Sequence, residues 1–153
     1  MENASKALIM AAGVLIGVLI LSLAVFLFLD FGATSESIYS QMESQQLTQY
    51  NAQYTVYSGR NDITIYEIIS LANLAKENND YYKYYTDYED VYKVQVFFPR
   101  YQNLQDESSN EKQNLINLYN AVDNNGNLIT KFKCNTIEYH DSGGRVRLVK
   151  FEI

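Results

Sequence analysis

The stretch ALIMAAGVLIGVLILSLAVFLFL, from Ala7 to Leu29, decides how the rest of the chain is read. It holds no charged residue, no Pro and no Asn, and Ser22 is its one polar side chain. As a helix rising 1.5 Å per residue it is roughly 34 Å long, against a hydrocarbon core of about 30 Å. A helix buried in a globular core rarely runs so far without a polar face. The segment therefore reads as a membrane span, with the lipid bilayer as its first partner. A cleaved signal peptide is the alternative. A signal core is shorter, about 7–15 residues, and cleavage after Ala33 would put Phe31 where a small residue is wanted. Cys134 is far downstream, which excludes a lipid-modified cysteine just after the run.

Beyond this stretch the composition changes. The chain has 153 residues, 47% hydrophobic and 20% charged. All of the tyrosines, and every basic residue except Lys6, lie after Asp30. The length suits one domain with an appendage. Two joined compositions exclude a wholly cytosolic globular protein, a disordered chain and a multi-pass transporter. The single cysteine excludes an internal disulfide framework and a Cys-based zinc site. A net charge of −6 argues against nucleic acid as a partner.

Charge flanking the span sets its orientation. Lys6 and the α-amino group stand on the short side, offset by Glu2. Asp30, Glu36 and Glu43 stand on the other, with no basic residue before Arg60. The positive-inside rule then places the N-terminus in the cytoplasm and the C-terminal part outside. The organisation that follows is a short cytoplasmic N-terminus over 1–6 and a transmembrane helix over 7–29. A juxtamembrane amphipathic helix or stalk covers 30–60, and an outward-facing α+β domain covers 61–153. Within the span, Gly13 and Gly17 make a GxxxG pattern, which lets a second helix approach closely in lipid. Ala7 and Ala11 repeat the small-residue spacing upstream. Gly13, Gly17 and Ala11 are the candidate helix-packing residues of a homo-oligomer; lipid-facing glycines with no packing role are the alternative.

After the span, Ile38, Met42, Leu47, Tyr50 and Tyr54 form a weak apolar stripe, so a second helix is expected to about Tyr57, stopped at Ser58-Gly59. If Gly32 does not interrupt it, the two helices are one. Thr64-Ile65-Tyr66-Glu67 is a capping-box sequence, with Ile65, Ile68, Ile69, Leu71 and Ala72 as the buried face of a helix over 65–77. The spacing predicts a strand over 91–98, with Tyr92, Val94, Val96 and Phe98 on one face and Pro99 as its end. Ser108–Glu111 is a second capping box before a short helix carrying Leu115, Ile116, Leu118, Tyr119 and Val122. Strands over 128–139 and 145–153 flank the turn His140-Asp141-Ser142-Gly143-Gly144 and read as a β-hairpin. Alternation slips near Asn135, which predicts a bulge. The fold class is α+β: an N-terminal transmembrane helix continuing into an amphipathic helix, then helices on an antiparallel sheet of three to four strands.

Chemistry-bearing motifs are sparse. Tyr81, Tyr82, Tyr84, Tyr85 and Tyr88 crowd one segment and are a candidate contact surface, able to stack on a carbohydrate or a peptide. The plainer reading is a strand or edge segment with its rings on the domain surface. Asp123-Asn124-Asn125-Gly126-Asn127 has oxygens at alternate positions, as a calcium loop would, but its glycine is misplaced and Cys134 stands where the final acid belongs. It reads as a turn. His140, the only histidine, reads as a solvated turn residue, and Cys134 as a buried strand residue. There is no GxSxG, HExxH or GxxxxGK pattern. No catalytic, cofactor-binding or metal-ligating residue is assigned, and no enzyme activity is expected. The sequon at Asn3 falls on the expected cytoplasmic side and stays unmodified.

The order of an apolar N-terminal helix, an amphipathic continuation, a further helix and a terminal sheet resembles the type IV pilin and pseudopilin architecture. The segments that carry the resemblance are Ala7–Leu29, the helix to Tyr57, and the strands over 91–98, 128–139 and 145–153. It is a likeness of layout. The basic leader ending in Gly and the Glu at the fifth mature position that mark that family have no counterpart here, so no functional residue transfers. The resemblance implies assembly through the N-terminal helix into a surface filament or secretion pseudopilus. Sequence therefore points to a single-pass, membrane-anchored, non-enzymatic assembly protein. The alternative is a membrane-tethered extracytoplasmic recognition module of unknown ligand.

Overall fold

A computed structural model of the chain describes residues 2–153. In chain order the elements are α1 (Glu2–Thr55), α2 (Ile65–Tyr82), one wide helical turn (Tyr88–Tyr92), β1 (Gln95–Phe97), a 3₁₀ turn (Leu104–Asp106), α3 (Ser109–Tyr119), β2 (Lys133–Tyr139) and β3 (Val146–Glu152). The chain divides into two compact units between Gln45 and Gln46.

The described residues of the first unit are all helical. Gly32 does not interrupt α1; one glycine costs a helix only about 1 kcal/mol relative to Ala. Ser22 Oγ donates back to the Val18 carbonyl at 2.8 Å, so the one polar side chain of the span is satisfied within its own helix. Glu2 and Lys6 pair one turn apart at 2.9 Å.

The second unit is α+β. It begins upstream of the expected start at residue 61, because the last turns of α1 belong to it. Tyr54 is fully buried in its core. Asn51 grips the entry to β3: its Nδ2 donates to the Gly144 carbonyl at 2.8 Å, and its Oδ1 accepts from the Val146 N–H at 2.9 Å. The helix ends at Thr55, and Gly59 (φ 70°) turns the chain back.

Both capping boxes form. Thr64 and Glu67 exchange bonds at the start of α2, as do Ser108 and Glu111 at the start of α3. Ile65, Ile68, Ile69, Leu71, Ala72 and Ala75 are the buried face of α2. They meet Val94, Val96, Phe98, Val149 and Phe151 in one core, with Leu104 and Leu115 beside them. Phe98, Tyr119 and Phe132 close one end, with ring centroids 5.2–5.9 Å apart.

The sheet is mixed, not antiparallel, and its order is β1-β3-β2. The hairpin forms as expected, with Gly143 and Gly144 at positive φ. Its register shifts between Cys134 and Thr136, leaving Asn135 as the extra residue where the alternation slips. β1 pairs with β3 in parallel, Val96 opposite Val149. The chain leaves β1 through the 3₁₀ turn and α3 before it enters the hairpin, and such a crossover brings the last strand back in the same direction.

Four element boundaries differ from the sequence expectation. α3 ends at Tyr119, so Val122, expected on that helix, lies beyond it and bridges to Leu128. α2 does not stop at Glu77 but continues to Tyr82. Asn78 and Asn79, poor helix formers, are held there by tertiary bonds. Asn79 Oδ1 accepts from the Val94 N–H and its Nδ2 donates to the Val94 carbonyl, both at 2.8 Å, while Asn78 Nδ2 donates to the Tyr92 carbonyl at 2.7 Å. The expected strand over 91–98 shrinks to Gln95–Phe97, because Tyr88–Tyr92 coils into the wide turn closed by Lys93 N–H to Tyr88 O at 2.8 Å. β2 starts at Lys133 and not at 128, since Leu128 pairs locally with Val122 across the Asp123–Asn127 turn.

β1 is an edge strand, and its outer backbone is occupied by side chains. Asn79 takes both groups of Val94, and the Gln105 Oε1 accepts from the Val96 N–H at 2.9 Å. Replacing Asn79 with Ala would leave two buried backbone groups unpaired. The expected loss is about 2–4 kcal/mol, against about 1 kcal/mol for Asn78→Ala, whose bond to the Tyr92 carbonyl in the wide turn is half-buried. Urea titration of the full-length protein in detergent, followed by circular dichroism, measures both. Equal losses would show that the pairing of Val94 is not special.

Candidate functional site

Two regions singled out by sequence are accessible, and the structure keeps them in separate units. The first is the apolar segment of α1. It is the one helix among the described residues long and apolar enough to cross a membrane. Its large side chains are exposed along the whole run, Phe28 at 84%. A Cβ built on Gly13 or Gly17 would meet nothing within 4 Å, so the shallow face they make is open. Ala11 does not extend that face. It lies two residues before Gly13, about 200° around the helix, and so belongs to another side.

The second region is the tyrosine segment. It is not a strand or sheet edge: Tyr81 and Tyr82 end α2, and Tyr88 opens the wide turn. Its rings divide into two sets. Tyr81, Tyr84 and Tyr85 are exposed, whereas Tyr82 and Tyr88 are half-buried. Lys83 sits 5.1 Å from the Tyr84 ring. Tyr82 is stacked on Tyr92, with centroids 4.3 Å apart and planes 5° from parallel. Arg145 is held among these rings. Its guanidinium carbon lies 3.7 Å from the Tyr50 centroid, 5.0 Å from Tyr82 and 5.2 Å from Tyr92. Cation–π attraction grows when the partners are desolvated, and Arg145 Nε is buried without a hydrogen bond. Tyr82 therefore serves the fold, and the surface available to a partner is Tyr81, Tyr84 and Tyr85.

The remaining chemical groups are engaged in structure. His140 is buried, not solvated: its Nε2 lies 2.7 Å from the Lys93 carbonyl, which can only accept, so Nε2 carries the proton. The turn is held in place by the His140 backbone N–H, which donates to the Arg145 carbonyl at 2.8 Å. Cys134 is buried in β2, and burial pushes its thiol pKa up. Asp123 caps its own turn, Oδ1 accepting from the N–H groups of Asn125 (2.8 Å) and Asn127 (2.9 Å), which lowers its carboxyl pKa. Burial would raise the Glu67 carboxyl, but hydrogen bonds from Thr64 and Arg60 outweigh it and hold the pKa below the usual value. Lys112 is buried, its Nζ donating to Asn73 Oδ1 (3.1 Å) and the Gln105 carbonyl (3.2 Å), and burial lowers its pKa.

A groove of about 550 Å³ lies beside the hairpin turn, lined by Glu89, Asp90, His140, Asp141, Ser142 and Arg147 among others. Its side chains are largely paired: Glu89 with Lys93, Arg147 with Glu138, and Ser142 with the Asp90 carbonyl. Among the described residues, no three or more His, Cys, Asp or Glu side chains converge to hold a metal ion. The cage of Arg145, Tyr50, Tyr82 and Tyr92 has no local sequence signal, because its members come together only across long separations. The chain matches no protein-family model, no curated protein and no solved structure, so the functional reading rests on its own residues.

The buried phenols give the second unit an alkaline limit. Burial, then the neighbouring Tyr50, raises the pKa of Tyr54; burial likewise raises that of Tyr50. The folded state thus keeps phenolic protons that the unfolded chain releases near pH 10. Where the native state binds more protons, stability falls as pH rises. Stability is therefore expected to be full below about pH 10 and to decline above it. The Tyr54 hydroxyl is buried without a hydrogen bond of ordinary geometry. Tyr54→Phe should change stability at neutral pH by less than about 1 kcal/mol and flatten the alkaline decline. Urea midpoints across about pH 7–11 test this; an unaltered decline in the variant would assign it to other groups.

Proposed function

We propose that this protein is a single-pass, membrane-anchored, non-enzymatic assembly subunit. Its apolar helix anchors it and brings copies together, and the α+β unit is displayed on the outer side of the membrane. The observation that carries the proposal is the exposed apolar run Ala7–Leu29, which no other part of its unit covers. Only lipid or other apolar helices can satisfy such a surface. The open face at Gly13 and Gly17 suits a close helix partner. The outward orientation is supported by Lys6 before the span and by Asp30, Glu36 and Glu43 after it. The non-enzymatic reading is supported by the use made of the reactive groups: Cys134 buried, His140 bonded to a carbonyl, Asp123 closing its own turn. The order of elements resembles that of type IV pilins, and this likeness of layout favours surface or filament assembly over a simple anchor.

A photoreactive residue at Leu21, in full-length protein in membranes, tests assembly. A subunit of this kind gives a ladder of crosslinked multimers, and Gly17→Leu removes it without altering the fold of the second unit. Crosslinks to lipid alone would overturn the proposal. Orientation has its own test. With cysteines introduced singly at Ser5 and Ser58, a membrane-impermeant thiol reagent should label the second site in intact cells and the first only after lysis.

A second reading is favoured by the three exposed tyrosines, Tyr84 at 85% and Tyr81 at 69% foremost. Side chains of that kind supply large, amphipathic contact area, as a membrane-tethered recognition module would use. In that case Gly17→Leu leaves ligand binding intact, while removal of the Tyr84 and Tyr85 rings abolishes it.

A further inference from the structure

We infer that the segment of α1 beyond the membrane span is a parallel self-pairing seam, so that two copies of this chain lie side by side from the bilayer outward. The inference rests on the assembly reading above and names its geometry. Phe28, Phe31, Ser35, Ile38 and Met42 follow one another at steps of three and four residues. That is the 3.5-residue repeat of two helices packed along one seam. The same register runs back through Ala24, Leu21 and Gly17 within the apolar run. One face therefore continues from lipid into water.

The aqueous part of this face is what needs a partner. Ile38 and Met42 stand roughly 13 and 20 Å beyond Leu29 along the helix, out of reach of the hydrocarbon. Both remain about half exposed, Ile38 at 51% and Met42 at 50%. Among the described residues, no other element lies in their unit to cover them.

Charge placement selects a second copy as the occupant. Copies inserted by the same topology rule lie parallel, so each residue of the seam faces its own equivalent. Like charges beside the seam would then repel. Here the flanking positions are Gly32, Thr34, Tyr39 and Gln41, all uncharged. Asp30, Glu36 and Glu43 fall on the outer side of the repeat, away from the partner. Seams that choose a different protein carry selective charges at the flanking positions, and this one has none.

Disulfide mapping in full-length protein tests the seam. Cysteines are placed singly at Ser35, Ile38 and Met42 on the seam and at Ser37, Ser40 and Glu43 outside it. The protein is reconstituted in phosphatidylcholine vesicles and oxidised with copper-phenanthroline. The native Cys134 is buried, so the unaltered chain is the background control. The expected result is a disulfide dimer at the three seam positions and none at the outer three. Dimers at neither set, or equally at both, would overturn the inference. Photocrosslinks from Leu21 that persist without seam disulfides would reject the seam and leave assembly standing; loss of both would reject assembly as well.

Discussion

The second unit depends on how the open edge of β1 is satisfied. β1 is three residues long, and one side of it pairs with β3. Its other side would present unpaired backbone groups to the interior, and an unpaired buried amide costs free energy comparable to a lost hydrogen bond. Two side-chain amides remove that cost. Asn79 from α2 mimics a neighbouring strand at Val94, and Gln105 from the 3₁₀ turn does the same at Val96. These bonds tie α2 and the crossover segment to the sheet. They also extend α2 past Asn78 and Asn79, which local propensity alone would use to end a helix. Lys112 then seals the back of Gln105 by donating to its carbonyl.

The end of α1 is held by a second set of polar contacts of the same type. Asn51 bonds to the backbone on both sides of Arg145, at Gly144 and Val146. Arg145 is thereby carried into the space between Tyr50 and the Tyr82–Tyr92 stack. The short stretch Gly144–Val146 at the entry to β3 thus joins the last turns of α1, the end of α2 and the wide turn before β1. His140 adds a further tie from the hairpin to Lys93. The tyrosine-rich segment is accordingly half structural, and what it offers outward is confined to Tyr81, Tyr84 and Tyr85.

The first unit follows a different logic. None of its described residues is buried, and its apolar surface is larger than any aqueous environment tolerates. The physical requirement is external: the exposed apolar run is long enough to cross a membrane and calls for lipid around it. The assembly proposed above would use the same helix both to anchor the chain and to cover Ile38 and Met42.

By itself the sequence determined what depends on neighbours in the chain. The uncharged run Ala7–Leu29, the two capping boxes, the glycine turn of the hairpin and the bulge at Asn135 are all local, and all are present. Each arises from propensity, periodicity or a side chain reaching its own backbone, which a reader of adjacent residues can follow. The tertiary structure alone decided the parallel pairing of β1, the length of α2, the burial of His140 and the cage around Arg145. These rest on bonds between residues far apart in the chain, Asn51 with Val146 or Asn79 with Val94, whose strength appears only once burial removes the competing water. The sequence carries both partners of every such bond, but nothing in its local pattern says that they meet.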